Sequence, residues 1–552
     1  MFNFFFKKGI SAVFVGLCIS LLSCKTDPES TDDRTVFRYN ESANITSLDP
    51  AFARNQANIW GVNQIFNSLL QLNDQLEIKP SIAKKWHIDE DGLTYTFYLR
   101  DDVYFHDHYL FEGGKGRRVK ASDFVYSLSR IVDDKIASPG SWVFNSVAHT
   151  EDGGFAFSAP DDTTFVVRLS RSFPPFLGIL TMQYASVVPR EIVEYYGRDF
   201  RRNPIGTGPF RFKYWREGVK LVLLKNDHYF EFDSQGQRLP YLDAVSITFI
   251  IDKQAAFLEF IKGNIDFLSG IDASYKDELL TRSGDLNPKY AHSIRLKKAP
   301  YLNTEYLGFL VNDSLPLSVE SPIFDKRIRQ AINYGFDRSR MMLFLRNNVG
   351  IPATSGFIPS GMPAFDSDIV KGYDYNPDKA RRLLAEAGFP NGKGLPPITL
   401  STNASYLDLA QYIQSALDEI GIQIRIDVLP PGTLRELIAR SDLNFFRGSW
   451  IADYPDAENY LSLFYSPNFT PAGPNYTHFK SDKFDALYEK SLGIVDDSIR
   501  YELYREMDNL IMQKAPVVVL YYDEVLRFSQ KNISGLGINP LNLLTLKHVQ
   551  KK

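Results

Sequence analysis

A chain of 552 residues is longer than one hydrophobic core can organise, and implies about three or four domain-sized units. Its 44% hydrophobic and 14% aromatic content can build large cores, which excludes the disordered class. A net charge of -4 leaves no basic footprint and argues against a nucleic-acid partner.

The first residues stand apart from the fold. Lys7 and Lys8 precede an apolar run from Ile10 to Leu22, too short to cross a bilayer comfortably and laid out as a secretory signal. The run ends Leu21, Leu22, Ser23, Cys24, which resembles a bacterial lipobox and predicts lipid modification at Cys24 after removal of residues 1–23. Only Cys18 and Cys24 exist, and Cys18 falls in the removed segment, so a disulfide framework and a cysteine metal site are both excluded. The polar stretch 24–34, rich in Asp, Glu, Ser and Thr, reads as a flexible tether.

Folding is expected to begin at Val36 with a short strand, followed by a turn in SLDPAFA (Ser47–Ala53) where Pro50 restricts Asp49. Helical periodicity runs from Asn58 to Leu70. Thr94, Thr96 and Tyr98 alternate with Tyr95, Phe97 and Leu99, the period-two signature of a strand. Val119–Val132 reads as a helix with Ser122 as N-cap. In NPIGTGPF, Gly206, Gly208 and Pro209 predict a tight turn; a phosphate loop is rejected because no Lys-Ser or Lys-Thr pair and no helix follow.

From Tyr301 strands and helices alternate, which predicts an α/β domain. YLGFLVN reads as a strand and Asp325 as a helix cap, while Asn376 caps a helix with Pro377 in its first turn and Gly388 at its end. The helix LDLAQYIQSALDEI leads into IQIRIDV, with Ile422, Ile424, Ile426 and Val428 on one face. YELYREMDNLIMQ reads as a further helix, and PVVVLYY as a strand buried on both faces.

Within this frame the stretch RGSWIADYPDAENYL, Arg447 to Leu461, combines a cation, a large aromatic ring and the carboxylates of Asp453 and Asp456. A carboxylate in a partly closed apolar site binds an ammonium strongly, and a guanidinium can hold a carboxylate in bidentate fashion. Six residues of extended chain would place Arg447 about 20 Å from Asp453, a span that suits a small zwitterion. An ordinary surface turn with one packed ring is the bland alternative. His106 and His108, in FHDHYLF, belong to a loop more readily than to a metal site. No H-E-x-x-H or G-x-S-x-G motif occurs.

The ordered set SLDPAFA, the Trp86–Arg100 pattern, VKASDFVYS, NPIGTGPF, FDKRIRQAINYGFDR, NPDKARRLLAEAG and GSWIADYPDAENYL resembles the bacterial extracellular solute-binding proteins of family 5, the peptide, nickel and oligosaccharide class. The likeness is strongest to the oligopeptide-binding proteins of ABC importers and runs from about residue 35 to 547. It implies a mixed α/β, two-lobed fold of the type II periplasmic-binding-protein kind, with an extra inserted domain and an interlobe hinge near Tyr301 and Asp523. The implied layout is lobe I from 35–79, 205–300 and 523–552, an inserted domain from 80–204, and lobe II from 301–522.

The resemblance also implies site residues. Asp453, three residues after Trp450, would take a peptide's N-terminal ammonium, and Arg447, three residues before it, the carboxylate of a short peptide. Backbone groups of Gly448, Ser449, Trp450 and Ile451 would pair with the peptide as an added strand, and Arg440 would be a second cation upstream. The implied protein is a monomeric lipoprotein outside the cytoplasmic membrane, not an enzyme and without a cofactor, delivering short peptides to permease subunits. Two alternatives remain: an oligosaccharide, nickel complex or opine as ligand on the same fold, or a secreted peptidase or glycosidase using Asp453 and Asp456.

Overall fold

The computed structural model describes residues 34–552, so the leader, Cys24 and nearly all of the tether lie outside the described residues. One long sheet organises the backbone. Its main strands in chain order are β1 (Val36–Asn40), β2 (Phe210–Arg216), β3 (Lys220–Lys225), β4 (Ala244–Thr248), β5 (Phe267–Ser269), β6 (Ile294–Phe309), β7 (Ile398–Thr402), β8 (Ile424–Val428), β9 (Phe445–Ile451) and β10 (Val517–Gln530). In space they follow the order β8, β7, β9, β6, β10, β5, β1, β4, β3, β2.

Two strands tie the sheet together. β6 and β10 run antiparallel from the rung Ile294–Gln530 to the rung Gly308–Val517, and their register shifts between Pro300 and Thr304. The shift falls where the chain passes from one hydrophobic core to another. Ile294, Leu526 and Phe528 belong to the core shared with β1–β5, whereas Leu302, Tyr306 and Tyr522 belong to a second core and Leu307, Val518 and Leu520 to a third. Pro300 has no N–H to give a ladder, which accounts for the interruption.

Four antiparallel strands, Ala83–Ile88, Thr94–Leu99, Thr164–Arg168 and Phe157–Asp161, make a separate sheet. The alternation expected from Thr94 to Leu99 is present, with Tyr95, Phe97 and Leu99 buried. Phe97 and Phe165 pack with Phe124 of the helix Ala121–Ile131 in the same continuous core as β1. Arg130 of that helix meets Asp49 in a buried ion pair, with Nη1 2.8 Å from Oδ1. The Ser47–Ala53 turn is thereby fastened to a helix 81 residues away in sequence.

Several boundaries differ from expectation. The helix expected over 58–70 runs from Gln56 to Ile65, capped by Asn55, and Leu70 starts a short strand instead. It stops there because the NPIGTGPF turn docks on its end: Gly208 N–H donates to the Ile65 carbonyl at 2.8 Å. A Cβ on Gly206 would stand 2.2 Å from that carbonyl oxygen, which gives the glycines their role. The helix expected from Val119 begins at Ala121, and its cap is not Ser122; Asp123 accepts the Lys120 N–H at 2.9 Å. Of the four residues placed on one face of IQIRIDV, Ile422 and Ile424 are buried but Val428 is 45% exposed, since β8 is the outermost strand. The caps at Asp325 and Asn376 are as expected, each accepting a backbone N–H of the first turn.

Candidate ligand-binding site

The stretch singled out in the sequence begins inside β9. This strand pairs with β6 along its whole length, from Phe445–Phe309 to Ile451–Asn303, but touches β7 at only one rung, Ser401–Phe446. Ala452 N–H donates to the Leu302 carbonyl and the Asn444 carbonyl accepts from Leu310, so the even-numbered backbone groups face β6. Backbone alternation then turns the N–H and C=O of Ser449 and Ile451 to the other edge, which no strand covers among the described residues. Gly448 lies opposite Tyr306, where a Cβ would come 2.5 Å from the ring. Only glycine lets the two strands approach there.

Beyond Ile451 the chain leaves the sheet and turns, and one side chain sets the turn. Asn459 Oδ1 accepts the Trp450 indole N–H at 2.9 Å and the Asp453 backbone N–H at 3.2 Å. Its Nδ2 faces Asp453 Oδ2 at 3.4 Å. Asp453 is an exposed residue by surface area, but protein groups crowd its carboxyl. That low-dielectric setting pushes its carboxyl up to about 6, against the lowering effect of the Asn459 bond. A carboxylate raised in this way gains from any ammonium that comes to it.

Arg447 lies on the same strand in a different situation. Its guanidinium, partly buried, is paired with the buried Glu305 of β6 and stacks 3.5 Å above the Tyr406 ring. The pair continues into a network: Asn303 Nδ2 reaches Glu305 at 3.2 Å and Asp523 at 3.4 Å, and Arg346 Nη2 bonds Asp523 at 3.0 Å. These four charges cancel, and they sit at the shifted register of β6 and β10. Arg447 Nε has no hydrogen-bond partner among the described residues. Arg440 is elsewhere. It ends the helix Pro431–Ala439, is paired with Glu436 and Asp442, and precedes the opposite end of β9 from Asp453.

The remainder of the stretch serves the fold. Asp456 is buried and bonds Arg500 Nη2 at 3.1 Å, so it does not face a common bond with Asp453. Glu458 is buried and accepts the hydroxyls of Tyr454 and Tyr488; burial pushes its carboxyl up to about 7. Tyr454 itself lies in the core shared with β1, and a Cβ on Gly178 would touch it at 3.4 Å. The turn is therefore seated against the 80–204 region. His106 is buried with Nε2 on the Gly208 carbonyl, and His108 lies by the Tyr196 hydroxyl.

Two cavities, of about 480 and 890 Å³, lie away from Asp453. In the smaller one Lys547 is already paired with Glu231 and Gln71, so its polar lining is internally matched. At Asp453 a raised carboxyl and an open strand edge coincide. Reading the sequence missed Asn459 and Glu305. Asn459 left no signal, but Glu305, a carboxylate between Thr304 and Tyr306 in an apolar strand, was a detectable oddity.

The model of the bacterial extracellular solute-binding proteins, family 5 (middle), matches residues 77–471. The chain is 25% identical over 492 residues to the dipeptide-binding protein of Escherichia coli (strain K12), covering 86% of this chain and 87% of that one. It is 24% identical over 506 residues to a glutathione-binding protein of Shigella flexneri serotype 5b, covering 90% and 91%. In fold it is similar to the periplasmic binding protein DppA of Helicobacter pylori, solved with the peptide STSA, at a TM-score of 0.75 and 24% identity over 94% of this chain and 98% of the other. The fold is thus the two-lobed periplasmic-binding-protein type. With the matched region covering well over half its length, the chain belongs to the bacterial extracellular solute-binding proteins, family 5.

Proposed function

We propose that this protein is an extracytoplasmic receptor, monomeric and anchored through a lipid on Cys24, that captures short peptides and delivers them to the permease of an ABC importer. In this reading lobe I (35–79, 205–300, 523–552), carrying the 80–204 domain, closes on lobe II (301–522) about the shifted register near Pro300 and Asp523. The observation that carries it is the carboxylate of Asp453, raised to about 6, beside the uncovered edge of β9. Asp453 receives the peptide ammonium. The backbone groups of Ser449 and Ile451 pair with the peptide main chain, so affinity is largely independent of side chains. Gly448 and Trp450 shape that edge from the inner side. A carboxylate-binding role for Arg447 has to compete with Glu305, and Arg440, exposed and doubly paired, gives such a role little support.

Calorimetric titration with alanine peptides of two to five residues, free and N-acetylated, tests this on wild type and Asp453→Asn. Acetylation leaves the carboxylate without its partner, a loss of about 3 to 5 kcal/mol for a buried pair and less here because Asp453 keeps solvent contact. Heat that needs both a free amino group and Asp453 supports the reading. No heat with any peptide from folded protein would overturn it and direct the search to sugars and metal chelates.

A further inference from the structure

A zwitterionic ligand held by Asp453 needs a cation for its other end, and Arg447 is committed to Glu305. Arg54 is exposed and its side chain makes no hydrogen bond or ion pair among the described residues. It follows directly on a turn that is held from three directions. Asp49 is paired with Arg130, Ser138 Oγ donates to the Ala51 carbonyl at 2.6 Å, and Gln183 Nε2 donates to the Ala53 carbonyl at 2.7 Å. The last bond holds Ala53, the residue before Arg54, against Gln183, the residue before Tyr184. Tyr184 is itself fixed, because its ring fills the space where Gly140 lacks a side chain; a Cβ there would meet it at 2.3 Å. Five residues before Gln183, Gly178 lies against Tyr454 and Pro455, next to Asp453. The turn that carries Arg54 and the turn that carries Asp453 therefore both pack on residues 178–184.

Resting on the peptide reading above, we propose that Arg54 receives the carboxylate of the ligand whose ammonium is held by Asp453, so that each lobe contributes one charge. The Tyr184 hydroxyl registers both groups: burial pushes it up to about 12, the Asp453 charge adds to the rise and Arg54 opposes it. A guanidinium on a braced turn loses little freedom when it binds a carboxylate, and it can do so with two parallel hydrogen bonds. A ligand with both charges bridges the lobes and favours closure, whereas a ligand with only an ammonium binds one lobe. The internal pairing of Arg447 with Glu305 then sets the floor of the site and leaves selection for the carboxylate to Arg54.

The test is calorimetry with alanine peptides of two to five residues, each as free acid and as C-terminal amide, on wild type, Arg54→Gln, Arg54→Glu and Asp453→Asn. We expect the free acid to bind wild type about tenfold more tightly than the amide. Arg54→Gln should erase that preference by weakening the acid alone, and Arg54→Glu should reverse it. Asp453→Asn should weaken acid and amide together. Equal binding of acid and amide by wild type, or equal loss of both in Arg54→Gln, would overturn the assignment while leaving the peptide reading intact. Absence of binding by every peptide would overturn both.

Discussion

Replacing Asn459 with alanine removes three contacts around Asp453 without touching a charge. The Asn459 bond to Asp453 Oδ2 is long, at 3.4 Å, and lowers the carboxyl that burial raises to about 6. A hydrogen bond to a charged acceptor is worth about 1.5 to 3 kcal/mol at good geometry, and one this stretched about 1. At 1.36 kcal/mol per pKa unit, and trimmed for solvent access, the Asp453 midpoint moves up by about 0.3 to 0.7 pH unit. Binding of an ammonium ligand requires the ionised carboxylate, so affinity is lost as pH falls through that midpoint. Asn459→Ala should then bind alanine peptides about two- to fourfold more weakly than wild type at pH 5.5, with a smaller deficit at pH 8. The same change strands the Trp450 indole N–H and the Asp453 N–H, at a cost of about 1 to 3 kcal/mol in urea unfolding. Calorimetry from pH 5 to 8 measures the first effect. A deficit independent of pH, or one that shrinks at low pH, would refute the electrostatic argument and leave Asn459 a purely geometric role.

The Arg447–Glu305 pair should be strongly coupled. Arg447→Leu leaves Glu305 buried and uncompensated, a loss of about 3 to 5 kcal/mol, while Arg447→Leu combined with Glu305→Leu should cost less than either single change; additive costs in urea melts would show the two side chains to be independent. The contribution of two buried carboxyls to stability should decline from pH 5 to pH 8. Asp508, buried and accepting the N–H groups of Phe357 at 2.6 Å and Ile358 at 3.2 Å, is pushed up from 3.8 to about 7, and Glu458 from 4.5 to about 7. The native protein keeps these protons where the unfolded chain has released them, so their contribution is present at low pH and lost as pH rises through 7. Between pH 5 and pH 8 the denaturant midpoint of Asp508→Asn should gain on that of wild type, and an identical pH dependence in the two proteins would contradict it.

Local chemistry determined much of this protein from the sequence alone. Asn376 and Asp325 cap helices because a short side-chain acceptor reaches a backbone N–H two or three residues on, whatever lies beyond. The Thr94–Leu99 strand follows from period-two alternation, and the order of motifs along the chain identified the family. The candidate site was legible as far as neighbours along β9 could show it. What each charged group does was decided by partners remote in sequence. Arg447 and Glu305 are 142 residues apart, and meet only because β6 and β9 pair in one register. A shift by one residue would have turned either side chain to the opposite face of the sheet. The end of the helix at Ile65 was set by Gly208 in the same way, through a turn that packs against its last carbonyl. Asp453 keeps its place in the stretch, but its raised carboxyl comes from protein packed around it by the fold. A residue's type fixes the charge it can carry, and only the folded surroundings fix the dielectric and the counter-charge that decide whether it is free to bind.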